Sequence, residues 1–201
     1  MRAAVFVRYN GANGLGHLAW AFDSDTDLAD CGSVENPEGK LILQPVDIGF
    51  WTDSTKSPIP DMTQRAYNDA KYIDLLSANP AEAYSTVLWI AAEAYKVVGR
   101  NCLDDVYDVL SAYGVSQLPP PAHVWEPNEW FDKFTNGTKI PVSTFDWSSS
   151  RQPAHLNAMF ALPSRVQTLQ GVAPKPPSWR IQGTPAFNQL QQWISIVTPR
   201  R

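Results

Sequence analysis

Cys102 sits where sulfur chemistry is favoured. It follows an extended-looking segment, Ala94-Tyr-Lys-Val-Val-Gly-Arg-Asn101, and opens a helical run from Leu103 to Tyr113 that Gly114 closes. A thiol at a helix N-terminus faces backbone N–H groups with no intrahelical acceptor and the positive end of the macrodipole. The pattern predicts a depressed pKa, a reactive thiolate and N–H donors for an oxyanion. Far upstream, Gly16-His17-Leu-Ala-Trp-Ala-Phe22 puts an imidazole at the start of a strand-like run. Together they predict a nucleophile and its general base. Ala19 and Ala21 share the strand face of His17, which predicts that a helix approaches closely enough to bring the thiol to the ring.

Other candidates compete less well. His155 follows Cys102 at a usable separation, but Arg151-Gln-Pro-Ala-His-Leu-Asn-Ala-Met159 has neither a strand pattern nor a preceding glycine. His123 lies beyond a triple proline, and Cys31 falls in mid-strand with no helix terminus to acidify it. Asp104, Asp105 and Asp108 complement the dipole at a helix start, and no His or Cys pattern completes a metal site. Gly11, Gly14 and Gly16 lack dinucleotide-loop or phosphate-loop spacing and read as a turn. No metal or cofactor is expected.

The elements that must position these residues are clearest in the first half. Ala3–Arg8 and His17–Phe22 read as strands joined by a tight connection, Asn10 to Gly16, and Leu28–Asn36 as a third strand ended with the help of Pro37. Residues 38–60, with several prolines and Phe50-Trp51, read as a surface-hugging loop. Met62–Asp69 reads as a short helix and Lys71–Leu76 as a strand. Asn79-Pro80 reads as a cap and first position of a helix running to about Ala94. From Val115 onward the chain holds 12 of the 17 prolines and five of the eight tryptophans. So much aromatic area predicts burial rather than disorder. Residues 115–201 are therefore expected to wrap a core made by 1–114, with a terminal helix near Ala186–Val197.

Composition narrows the function classes. A chain of 201 residues, 44% hydrophobic and 18% charged, suits one compact domain with a C-terminal extension. A formal charge of -4, with no Lys/Arg cluster, argues against nucleic acid and anionic membranes. The apolar run after Met1-Arg2 is too short for a signal h-region or a membrane span, so a cytoplasmic location is expected. There Cys31 and Cys102 would stay reduced, and Asn136-Gly-Thr138 would be an ordinary loop turn.

Gly16-His17-Leu-Ala-Trp-Ala-Phe22 resembles the glycine-histidine strand of the NlpC-type and lecithin:retinol acyltransferase-like thiol enzymes, and Asn101-Cys102 with its helix resembles their nucleophile. The His precedes the Cys, as in the circularly permuted branch of the papain-like fold. The resemblance spans about residues 1–115. It implies an α+β fold in which an antiparallel sheet packs on the Cys102 helix, with a Pro/Trp-rich C-terminal wrap. It also implies a cysteine-dependent hydrolase or acyl transferase, most plausibly an amidase or peptidase acting on a small molecule or peptide through an acyl-enzyme. By position Cys102 is the nucleophile and His17 the base. The residue orienting the imidazole falls between Ser33 and Glu35, with Asn36 within register error. Glu35 is chosen because a carboxylate both fixes a tautomer and stabilises imidazolium. The family more often has His, Asn or Gln there. Tyr95 resembles a tyrosine placed beside the thiol, and it and Asn101 are assigned to the oxyanion or substrate, with the N–H of Cys102 as an oxyanion donor. The alternative is a non-catalytic module recognising a peptide, glycan or protein through its aromatic surface.

Overall fold

The computed structural model describes residues 1–35, 49–92 and 100–150. Six strands form one antiparallel sheet: β1 (Arg2–Arg8), β2 (His17–Asp23), β3 (Ala29–Glu35), β4 (Gly49–Thr55), β5 (Asp69–Asp74) and β6 (Thr138–Pro141), in the order β4-β3-β2-β1-β5-β6. Four α-helices accompany it: α1 (Ile59–Gln64), α2 (Pro80–Ala92), α3 (Cys102–Tyr113) and α4 (Pro127–Lys133). The architecture is α+β. The expected terminal helix near Ala186–Val197 lies outside the described residues.

The alternation of β1 and β2 divides the core in two. Ala3, Val5, Val7, Leu18, Trp20 and Phe22 face α2, α3 and α4, packing with Val87, Ile90, Val106, Val109, Trp130 and Phe131. Ala4, Phe6, Ala19 and Ala21 face the other way, against Met62, Tyr67, Val142, Phe145 and Trp147. A strand covered on both faces has no polar face to show, which is why residues 3–7 read as an unbroken apolar run. Residues beyond Gly114 supply core side chains on both faces and the edge strand β6.

Three expectations are corrected. The stretch 38–60 is not wholly loop, because Phe50, Trp51, Thr52 and Thr55 have the aromatic and β-branched character of a strand and β4 pairs with β3 from Ala29↔Thr55 to Glu35↔Gly49. The short helix lies at Ile59–Gln64 rather than 62–69, with a proline in its first turn. Ala66, at φ +60, ends it, and β5 therefore begins at Asp69, ahead of the expected Lys71.

Candidate functional site

His17 begins β2 opposite Arg8, so its backbone is set by the turn between them. That turn closes on itself through Gly11 N–H to Arg8 C=O (3.1 Å), Gly14 N–H to Gly11 C=O (3.0 Å) and Gly16 N–H to Gly11 C=O (2.9 Å). Gly14 and Gly16 have φ of +91° and +99°, where side chains are strained. Gly11 is needed for space instead: a Cβ there would overlap the Cβ of His17. The glycine cluster is thus a histidine-positioning turn.

The imidazole is buried, 6% exposed, and tilted against Tyr67 with ring centroids 5.9 Å apart. Its Nε2 lies 3.0 Å from Ser33 Oγ, and Ser33 Oγ–H donates to Leu18 C=O at 2.8 Å. A serine hydroxyl has one proton. With that proton on Leu18, Oγ can only accept from the ring, which puts the imidazole proton on Nε2 and leaves Nδ1 with its lone pair. Burial first, and the Arg8 guanidinium second, press the pKa of His17 down to about 3. The ring is a neutral base held in one tautomer.

Cys102 is the first residue of α3, and Asn101 is its cap. Asn101 Oδ1 accepts from the N–H of Leu103 (2.9 Å) and Asp104 (3.2 Å), while Asp104 Oδ2 accepts from Asn101 N–H (3.1 Å), a complete capping box. Gly114, at φ +107, ends the helix. Asn101 therefore carries the helix start as well as lying beside the nucleophile. The thiol is 6% exposed. Burial pushes its pKa up to about 12; the backbone N–H groups of Leu18 and Leu103 offset part of this, and the Asp105 and Asp104 carboxylates add to it. The expected acidified thiolate is thereby corrected: desolvation outweighs the helix terminus, whose N–H groups are partly taken by the cap.

The structure does not bring the two side chains into contact; what lies between them is the backbone of Leu18. Its N–H lies against the Cys102 sulfur and its C=O accepts from Ser33, which holds the ring of His17. Helix α3 packs on the face of Leu18, Trp20 and Phe22, and the Ala19 and Ala21 face of His17 is covered by Met62 and Tyr67. The expectation that those alanines admit α3 is corrected accordingly. Among the described residues the ring's hydrogen bond goes to Ser33 rather than to the thiol.

Ser33, at the near end of the expected range, is the residue that touches the ring. The observed β2–β3 ladder runs from Asp23↔Ala29 to Trp20↔Gly32. Continuing it places Ser33 beside Ala19, on the face of His17 and within reach of its ring. Glu35 ends β3, paired with Gly49; its side chain, like Asn36, Tyr95 and His155, lies outside the described residues. Arg8 and Tyr67, which shape the ring's surroundings, went unnoticed in the sequence, although Arg8 was accessible from the hairpin register. Among the described residues no group of acidic, histidine and cysteine side chains could hold a metal ion, and no helix is long and apolar enough to cross a membrane. Comparisons with family models, curated proteins and solved structures found no match.

The buried thiol has a direct consequence. At pH 8 native Cys102 should react with iodoacetamide roughly 10³-fold more slowly than in the denatured chain, because a thiol near pKa 12 is almost wholly protonated there. Burial also raises the pKa of Cys31, so both cysteines should be slow. Peptide mapping after timed quenching separates them, and equal native and denatured rates at Cys102 would contradict its burial.

Proposed function

We propose that the chain is a cysteine-dependent hydrolase or acyl transferase with a circularly permuted papain-like core, acting on an amide or peptide bond. The observation that carries this is the Ser33–His17 arrangement, an imidazole fixed by its Nε2 at the strand step whose N–H lies against Cys102. In this proposal Cys102 sulfur attacks the substrate carbonyl carbon as the thiol proton passes, by way of one water at the start of β2, to Nδ1 of His17, whose ring lies on the sheet face away from α3. The oxyanion is received by N–H groups at the start of α3. The carbon–nitrogen bond then breaks, the imidazolium returns its proton to the departing amine, and a thioester remains for water or a second acceptor. Ser33 supports the tautomer that this requires.

Both partners are neutral at rest, so the ion pair belongs to the substrate-bound state. The same burial favours a second reading, a non-catalytic module in which Cys102 and His17 are core residues. An acyl donor separates them. With p-nitrophenyl acetate, the enzyme reading expects one acetyl group on Cys102, found by intact mass and peptide mapping. It expects His17→Gln to slow that acetylation by about 10²- to 10⁴-fold. Acetyl groups spread over lysines and Cys31, or an unchanged rate in His17→Gln, would support the binding module.

A further inference from the structure

We infer that Asn128, on α4, is a positioning residue for His17. The inference rests on His17 being the general base, and deepens that reading by adding a residue more than a hundred positions away. Asn128 Nδ2 donates to Tyr9 C=O (3.1 Å) and to Gly14 C=O (3.0 Å), and Asn128 N–H donates to Leu15 C=O (3.0 Å). These three bonds grip both ends of the turn that leads into His17.

The packing is as specific as the bonding. A Cβ on Gly16 would overlap Asn128 Oδ1 and come within 2.8 Å of Asn128 N. The side chain therefore fills the space that the glycine leaves, next to the peptide that enters His17. Asn128 Oδ1 is buried and accepts no hydrogen bond from the described residues, so the amide is placed here at a cost. The two carbonyls facing Nδ2 determine the orientation of the amide, because reversing it would set oxygen against oxygen.

A clamp must itself be fixed. Trp130 and Phe131 are fully buried, Trp130 Nε1–H donates to Pro119 C=O (2.6 Å), and the Lys71 ammonium donates to the carbonyls of Phe131 (2.6 Å) and Asp132 (3.1 Å). Lys71 belongs to β5, so α4 is tied to the sheet that carries His17. The sheet thus holds the histidine from the strand side, and Asn128 holds the turn from the helix side. A shift of the turn would carry Gly11 and Gly16 away from His17 and draw Nε2 out of line with Ser33.

The test reads the ring itself. Long-range ¹⁵N–¹H correlation of the imidazole should show the Nε2–H tautomer in the unaltered chain at pH 7. In Asn128→Ala and Asn128→Asp, the proposal expects mixed tautomers, a His17 pKa raised by a unit or more, and acetylation of Cys102 by p-nitrophenyl acetate slowed at least tenfold. A folded variant with a lowered Tm but an unchanged tautomer and titration would overturn the proposal, leaving Asn128 a purely structural residue. Should neither variant fold, a sub-denaturing urea series on the unaltered chain decides. Asn128 Nδ2 protons and the ordered His17 ring signal should be lost together, and an unchanged ring after release of Asn128 would overturn the proposal. Failure of the unaltered chain to acetylate Cys102 counts against the enzyme reading alone, because the ring measurement needs no turnover.

Discussion

Acidification from pH 7 to pH 4 should cost the folded protein about 3 kcal/mol through His17 alone. The folded ring has a pKa of about 3 against an ordinary 6.5. Between those values the unfolded chain binds a proton that the folded chain refuses. The stabilisation is therefore full above pH 6.5 and falls as the pH drops toward 3. Other groups titrate over the same range, so the measurement is a difference: urea unfolding of the unaltered chain and of His17→Gln at pH 7 and pH 4. The stability lost on acidification should be about 3 kcal/mol smaller in the variant, where the titrating ring is gone. Parallel losses in the two proteins would mean that the ring is solvated and titrates as in the unfolded chain, whereas a larger loss in the variant would point to an imidazolium held by an anion.

What was legible in the sequence depended on how local the signal was. The β1–β2 hairpin, α2 and α3 are legible because apolar runs about a glycine-rich turn, Asn79-Pro80 and Gly114 mark them within a few residues. Strand β4 was obscured: Asp53 and the flanking prolines dilute its pattern, and its pairing with β3 is decided by the whole sheet. The site divides similarly. Residue type and neighbours single out Cys102 and His17 as candidates but not their ionisation, because a helix terminus is visible in sequence and the burial that overrides it is not. Ser33 fell within the expected register window and lost to Glu35 on chemical preference. What singles out Ser33 is its hydroxyl, 3.0 Å from Nε2; the ladder alone does not, because continued it sets Glu35 opposite His17 on the same face. Asn128 could not have been found, since nothing in Glu126-Pro-Asn-Glu-Trp130 reports that the turn at residues 9–16 folds against it.

The three glycines of that turn should respond to alanine in the order Gly16, Gly11, Gly14, and this order tests whether the turn exists to place His17. At Gly14 the positive φ is the only obstacle, with open space where a Cβ would go, so Gly14→Ala should cost about 1–2 kcal/mol from backbone strain. Gly11 needs no unusual φ, but its Cβ would meet Cβ and backbone N of His17, and overpacking of that kind typically costs about 1–3 kcal/mol. Gly16 combines both faults, a φ of +99° and overlap with Asn128, and should lose about 3–4 kcal/mol, a large part of a small domain's stability. The stability order alone would fit any tight turn. The discriminating result is the His17 ring: Gly11→Ala should disturb its Nε2–H tautomer and its low pKa more than Gly14→Ala does, even where the two lose similar stability, because only the Gly11 side chain pushes on His17. Equal ring signals in those two variants would show that the turn closes the hairpin without setting the histidine.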